Sequence, residues 1–487
     1  MEIAAGDIEL QKAIMRRVRE AVLALPGPQL AYVDTYGCQQ NEADSEKIRG
    51  MLGEMGYGFT GDEFSADVIV INTCAIRENA ENRVLGNVGA LIHTKKAKRS
   101  QIIAFCGCLA GVPETVEKIR NSYRQVDLVF PPNELWRFPE LLHSVMFRGS
   151  AEAGGDAGDH CGAGPSSRRR LFHTGGGDGA IAEGIPSHRD GRVKAWLPIM
   201  YGCDNFCSYC IVPYVRGRER SRSPEAVIDE ARALIADGYK DITLLGQNVN
   251  SYGGGLGGNT DFASLIRRIN DIDGEFLIRF MTSHPKDASI ELFRAMAESE
   301  KAARHIHLPF QSGSDRILAL MNRGYTKSAY LEKAAAARGF MPDIVITSDV
   351  IVGFPGETDE DFEDTLDLIE KARFDALFTF IYSKRPGTPA AGLPDTSTRG
   401  EKQVRFDRLI ELQNAISDEK HAQYVGRAVR VLADEEARDA RYPLKARTNG
   451  GRLVHLKGDM GLLGSFTDAK ITHCNSWSLF GEAIAQS

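Results

Sequence analysis

The chain has 487 residues, 43% of them hydrophobic and 26% charged, the composition of a water-soluble globular protein of about two to four domains. Its formal net charge of −7 argues against indiscriminate binding to nucleic acid and leaves room only for a local basic patch. No apolar run reaches membrane-span length, the start Met1-Glu2-Ile3 carries no apolar signal region, and nine cysteines in so long a chain do not make a disulfide scaffold. A reducing cytoplasm is the expected setting.

Residues 1–29 read as an amphipathic helix, with Ile8, Leu10, Ile14, Val18, Val22 and Leu23 near helical spacing and a stop at Pro26-Gly27-Pro28. From 30 to 147 apolar strands alternate with helices. The strands are expected at 31–34, 66–72, 101–105 and 126–129, with helices over 42–55 and from near Arg77. That alternation predicts a doubly wound parallel sheet. Ligands of such sheets sit beyond the carboxyl ends of the strands. Cys38, Cys74 and Cys108 each follow a strand, so the topology would bring them to one rim as a three-cysteine site. The plainer reading is three unrelated buried thiols. Cys106 would share the strand face of Cys108 and is a rival ligand.

Residues 148–192 are rich in glycine and serine and read as a linker. Cys161 lies within it as a bystander, and Arg168-Arg169-Arg170 reads as a solvated run or a minor nucleic-acid contact.

A second alternating series starts near Lys194, with strands expected at 195–200, 241–245, 277–281, 305–309, 345–352 and 376–382. Six strands alternating with helices predict an open (β/α)6 barrel, whose active groups come from the carboxyl ends of the strands. The loop after the first strand holds Cys203, Cys207 and Cys210 at the spacing C-x3-C-x2-C. Three thiolates leave one metal position open, which suits an iron–sulfur cluster with one free iron; a zinc site is the alternative. The rim also offers Gly246, Gln247, Ser283, Gln311 and Ser312, although Ser283 and Ser312 taken alone read better as turn or cap residues. A long helix is expected over 401–424. The last sixty or so residues break into short alternating segments near 428–432, 444–447, 453–456 and 469–472, the pattern of a small all-β barrel. The expected fold class is therefore α/β, with a doubly wound sheet, an open (β/α)6 barrel and a small β-barrel in that order.

The cysteine triplet, with Tyr209 before its last member, resembles the signature of the radical S-adenosylmethionine enzymes. Further motifs resemble one branch of them, the methylthiotransferases: Tyr36–Asn41, Asn72–Arg77, Cys203–Gly217, Leu245–Tyr252, His307–Ser314 and Tyr382–Thr388. The match covers about 30–147 and 193–483, and it is strongest to the branch that modifies isopentenyladenosine in tRNA. Gln40 stands where the family usually has methionine, and the stretch 148–192 looks longer than the family's linker. The C-terminal barrel resembles a TRAM domain, through Arg447-Thr448-Asn449 and Leu463-Gly464-Ser465.

The resemblance implies an N-terminal extension (1–29), a methylthiotransferase domain (30–147), the linker (148–192), a radical S-adenosylmethionine domain (193–424) and a TRAM-like domain (425–487). It implies two 4Fe-4S clusters: Cys203, Cys207 and Cys210 would hold the one at which S-adenosylmethionine is cleaved to a 5′-deoxyadenosyl radical, and Cys38, Cys74 and Cys108 an auxiliary one that delivers sulfur. Tyr209, Gly246, Gln247, Ser283 and Gln311 would bind S-adenosylmethionine, which is also the methyl donor. Carbon 2 of adenine is an unactivated C–H that a protein base would not deprotonate, so a radical is needed. The implied partners are a tRNA anticodon stem-loop, a flavodoxin-type electron donor or reductase and a sulfur donor, with the chain acting as a cytoplasmic monomer. Arg216, Arg218, Lys445, Arg447 and Arg452 would contact RNA, with Arg220, Arg222 and Lys457 nearby; internal salt bridges are the alternative for the arginine run 216–222. Two other readings stay open: a sister methylthiotransferase acting on threonylcarbamoyladenosine or on an aspartate of a ribosomal protein, and a non-catalytic RNA-binding iron–sulfur protein.

Overall fold

The structure, a computed structural model, describes residues 3–75, 78–147, 170–175, 179–258 and 260–484. Arg77, Cys161, Arg168 and Arg169 lie outside them. Two compact units form. The first comprises Met1–Asp190, Tyr201–Cys203 and Ile211–Arg220, and the second Gly191–Met200, Asp204–Cys210 and Ser221–Ser487.

The first unit is built on a six-stranded parallel sheet. Its spatial order is Gly58–Phe59, Leu30–Thr35, Val68–Thr73, Ile102–Gly107, Leu128–Phe130, Leu171–Phe172. The central strands are apolar on both faces because both are covered. Val68, Val70, Ile102, Ala104, Leu128 and Phe130 pack with Met15, Val18, Ile48, Leu52 and Leu142 on one face. Ile69, Ile71, Ile103, Phe105 and Val129 pack with Val84, Val88, Val116 and Ile119 on the other.

The N-terminal helix, Ala5–Leu23, belongs to the first of these cores. Ile8, Val18 and Val22 are buried as their spacing predicts, but Leu10 and Leu23 are exposed while Gln11 and Met15 are buried. Gln11 bonds the helix Phe138–Phe147 through Glu140, which sets the buried stripe. Within the stretch read as a linker, Leu171–Phe172 is the sixth strand. Arg170 is not a solvated charge: it donates to the carbonyls of Ile119, Arg120, Tyr123 and Val126 at the end of the helix Pro113–Ser122. A guanidinium with five donors satisfies the orphan carbonyls a helix leaves there.

The second unit holds two parallel three-stranded sheets. One contains Lys194–Pro198, Asp241–Leu245 and Leu277–Phe280, and the other His305–His307, Val345–Val352 and Ala376–Ile381, each in chain order. An isolated parallel bridge joins Ile278 of the first sheet to Ala302, just ahead of His305–His307 in the second. Seven helices between and after these strands start on Ser223, Asp261, Ser289, Ser314, Thr326, Thr358 and Thr398, each accepting a first-turn backbone N–H on its side-chain oxygen. The unit's largest apolar core includes residues from Ala195 to Ile416, and a smaller cluster forms around Ile317, Met321 and Phe354.

The same unit ends in a closed five-stranded barrel: Ala428–Glu436, Leu444–Thr448, Leu453–Lys457, Phe466–Cys474 and Leu479–Ala483. The last strand was not expected. Gly481 breaks its apolar run, yet it pairs in parallel with Leu453–Lys457 and antiparallel with Phe466–Cys474 and so closes the barrel.

Candidate cluster sites and nucleic-acid contacts

The strand order of the first sheet reverses between Leu30–Thr35 and Val68–Thr73. Ligands of open α/β sheets bind at such a switch point, beyond the carboxyl ends of the strands. Cys38 and Cys74 lie there, one after each strand. Cys38 is the N-cap of the helix Gln39–Glu54, whose positive end favours an anion. Gly37, at φ +141°, lets this loop lie against Cys74; a Cβ on it would stand 2.7 Å from the Cys74 Cβ.

Cys108 follows the next strand. Cys106 and Cys108 do not share a face as strand alternation predicts. Gly107 takes φ +87°, Cys108 opens a 3-10 turn, and the two thiols enter opposite cores. Burial pushes both thiols up. For Cys106 the charges on Asp44 and Cys108 push the same way, whereas Arg216 pulls Cys108 back toward thiolate. Arg216 Nε donates to Cys108 Sγ at 3.3 Å, and its Nη2 reaches Asp44 Oδ2 at 2.9 Å.

A polar ladder backs this rim. Asn41 donates to Thr73 O at 2.7 Å and to Asn72 Oδ1 at 3.2 Å, and Asn72 donates to Ser45 Oγ at 2.9 Å. Among the described residues no group of three or more His, Cys, Asp or Glu side chains is placed to hold a single metal ion. The donors at this rim are soft sulfurs beside a buried cation and a helix N-terminus. That chemistry fits an anionic thiolate-bound iron–sulfur cluster.

Of the second triplet, Cys203 belongs to the first unit and Cys207 and Cys210 to the second. In the second unit Cys210 N donates to Cys207 O at 2.9 Å, and Arg323 Nη1 donates to Cys207 Sγ at 3.3 Å. Arg323 also reaches the Tyr209 hydroxyl at 3.4 Å and Pro309 O at 2.7 Å. Tyr209 packs against Ile317, Met321 and Phe354, and burial pushes its hydroxyl well up.

On the rim of the open barrel, Gly246 faces Met200: a Cβ there would stand 2.4 Å from Met200 Cγ. Gln247 is half-buried. Ser283 Oγ, Asn248 Oδ1 and His284 Nε2 are buried without a hydrogen-bond partner. Buried orphan polar atoms cost about 1–3 kcal/mol each, so this cluster fits a polar ligand such as the amino-acid or ribose part of S-adenosylmethionine. Thr282 and Gln311 hold positive φ, 71° and 67°, strained for residues with a Cβ and typical of binding sites. Burial pushes His284 down to about 2, which keeps the imidazole neutral. His284 and Arg323 escaped the sequence reading. Neither stands in a spaced motif, although His284 adjoins Thr282-Ser283.

The expected RNA contacts are placed unevenly. Arg216 is buried against Cys108 and Asp44. Arg222 is buried, donating to Pro198 O and Glu230. Arg452 is buried and pairs with the buried Asp375. Arg447 pairs with Asp434 at 3.2 Å, Lys445 with Glu435 at 2.6 Å and Lys457 with Glu482 at 3.0 Å. Arg218 is exposed. Arg279 donates to the carbonyls of Thr448 and Asn449, and Arg304 N to Asn449 Oδ1, so this turn of the barrel is tied to the strands beneath it.

Three family models match the chain: the Radical SAM superfamily over 197–369, a TRAM domain over 422–484, and over 30–131 a family described only as uncharacterized protein family UPF0004. A protein of Acetivibrio thermocellus named tRNA-2-methylthio-N(6)-dimethylallyladenosine synthase is 48% identical over 452 residues, 93% of this chain and 90% of that protein. A protein of Thermoanaerobacter sp. (strain X514) with the same name is 46% identical over 483 residues, 99% of this chain and 98% of that protein. Among solved structures, the radical S-adenosylmethionine methyltransferase TsrM from Kitasatospora setae aligns with a TM-score of 0.53 at 15% identity, covering 75% of this chain and 74% of that one; at that distance it shows the fold alone.

Proposed function

The chain belongs to the family of the tRNA-2-methylthio-N(6)-dimethylallyladenosine synthases, and on that premise we propose that it adds a methylthio group to carbon 2 of the isopentenyladenosine beside the anticodon of tRNA. Of the three readings open from the sequence, this is the one its named relatives carry. The observation that supports it most is the pair of separate cysteine sets, each with a buried arginine donating to one of its sulfurs.

In this reading Cys203, Cys207 and Cys210 hold the cluster of the radical domain, and Cys38, Cys74 and Cys108 the auxiliary cluster. When bound, these clusters and S-adenosylmethionine supply the radical, the sulfur and the methyl group. The chain's own residues orient and shield. Arg323 fixes Cys207 and Tyr209 together. Ser283, Asn248 and His284 offer unpaired polar atoms to S-adenosylmethionine, with Gly246, Gln247 and Gln311 around them. His284 stays neutral and its Nδ1 accepts from the Lys286 N–H, so the unpaired Nε2–H can donate one hydrogen bond without bringing charge to the sulfonium. The target adenine must leave its stack, which costs a few kcal/mol and less in a single-stranded loop.

Arg218 and Lys445 are assigned to RNA phosphates, Lys445 by exchanging Glu435 for phosphate, and Arg447 by exchanging Asp434. Arg216 and Arg452 are committed to internal pairs. The domain assignment is 1–29, 30–147, 148–192, 193–424 and 425–487, as read from the sequence. The protein works as a cytoplasmic monomer, fed electrons by a reductase or flavodoxin-type donor and sulfur by a separate donor; among the described residues no helix is long and apolar enough to cross a membrane.

The test is mass spectrometry of tRNA nucleosides from a strain lacking this chain. Loss of the methylthio derivative with accumulation of isopentenyladenosine is expected. An unchanged methylthio-isopentenyladenosine level refutes the assignment.

A further inference from the structure

A guanidinium buried among thiols needs a reason. Arg216 and Asp44 are both buried, at 7% and 8% side-chain exposure, and 2.9 Å apart. A buried pair of this kind seldom adds stability over apolar packing of the same volume. The contacts show what this one does. Asp44 Oδ2 holds Arg216 Nη2, while Asp44 Oδ1 accepts from Gln40 Nε2 at 3.1 Å, so the carboxylate is fixed at both oxygens. The guanidinium is planar, and holding one corner sets the others. Nε then points at Cys108 Sγ, and Nη2 also reaches Asn41 Oδ1 at 3.3 Å. The same Asn41 Oδ1 accepts from Cys38 Sγ at 3.3 Å. Once Cys38 is a thiolate it has no proton to give, and Asn41 is left with Arg216 as the donor at that oxygen.

We infer that Arg216 is the positioning residue of the auxiliary site, oriented by Asp44 so that its guanidinium donates to the Cys108 sulfur. The inference rests on the reading in which Cys38, Cys74 and Cys108 hold a cluster. Arg216 follows Cys210 closely in the chain, and its segment, Ile211–Arg220, belongs to the unit that carries those three cysteines. The stretch that ends one cysteine set thus supplies the cation of the other. One-electron reduction of a cluster by a low-potential donor adds one negative charge to it. A fixed positive charge and an N–H donor at a ligating sulfur favour that reduced form and raise the potential. Asp44 moderates the effect by sharing the charge.

The experiment uses the full chain, reconstituted anaerobically, as wild type, Arg216→Gln, Arg216→Lys, Asp44→Asn and Cys38→Ala. Iron per chain and the midpoint of each cluster's EPR signal on stepwise reduction with dithionite are measured. Arg216→Gln lowers the auxiliary midpoint, or loses that cluster and matches the iron content of Cys38→Ala, with the other cluster's signal unchanged. Arg216→Lys recovers part of the shift, because the charge returns without the fork. Asp44→Asn raises the midpoint. Wild-type iron and midpoint in Arg216→Gln overturn the inference. If that variant does not fold, Asp44→Asn decides, and an unchanged or lower midpoint overturns it. If Cys38→Ala itself keeps wild-type iron, the underlying site assignment fails instead, which the same samples reveal.

Discussion

Arg323 donates to Cys207 Sγ at 3.3 Å, and no carboxylate pairs with its guanidinium among the described residues. Its other partners are the Tyr209 and Tyr325 hydroxyls and the Pro309 carbonyl. Arg216 at the other cysteine set is held by Asp44. The two sets therefore meet their arginines under different electrostatic terms, one undiluted and one shared.

Arg323→Gln is expected to slow reductive cleavage of S-adenosylmethionine about tenfold, equivalent to ~1.4 kcal/mol, the scale of one charge-assisted hydrogen bond. The auxiliary cluster should be untouched. The measurement is 5′-deoxyadenosine formation in reduced, reconstituted protein, with iron content as the control. A wild-type rate contradicts the role given to Arg323.

Arg452 and Arg218 are predicted to separate structure from recognition. Arg452→Ala leaves Asp375 buried with Lys420 at 3.0 Å as its remaining cation. It should destabilise the second unit by about 3 kcal/mol, the low end for breaking a buried pair, and leave the salt dependence of tRNA binding unchanged. Arg218→Ala should leave thermal stability unchanged and reduce the salt slope of tRNA binding by about one phosphate contact. Thermal unfolding and binding across a salt series check both.

Burial raises the Glu357 carboxyl to about 7, against the opposing pull of the Gly353 N–H and Arg405. A carboxyl raised on folding contributes stability below its unfolded value of about 4.5. That contribution is lost as pH rises through about 7. Wild type should therefore lose stability between about pH 5 and 8 through this group. Glu357→Gln, which keeps the shape, should flatten that part of the profile. An identical pH profile of the unfolding midpoint in both proteins contradicts the assignment.

What was legible in the sequence is what depends on topology. Apolar strands alternating with helices place Cys38, Cys74 and Cys108 at strand ends, and parallel topology brings strand ends to one rim. What escaped depends on burial and on single dihedrals. Cys106 and Cys108 look equivalent until Gly107 turns the chain. Arg170, Arg216 and Arg452 are charges in a sequence, and a charge does not announce whether it faces water, a helix terminus or a carboxylate. His284 and Arg323 carry no spacing signal because their partners are far away in the chain. Leu479–Ala483 is held by two neighbouring strands rather than by its own alternation.

The central claim is that this chain carries two cysteine-ligated clusters with different tasks. Iron content and Mössbauer spectra of anaerobically reconstituted wild type, Cys38→Ala and Cys203→Ala test it most directly. About eight irons in wild type and about four in each variant are predicted, with S-adenosylmethionine cleavage kept in Cys38→Ala and lost in Cys203→Ala. About four irons in wild type and Cys38→Ala alike would contradict it, leaving one cluster and no metal role for the rim of the first sheet.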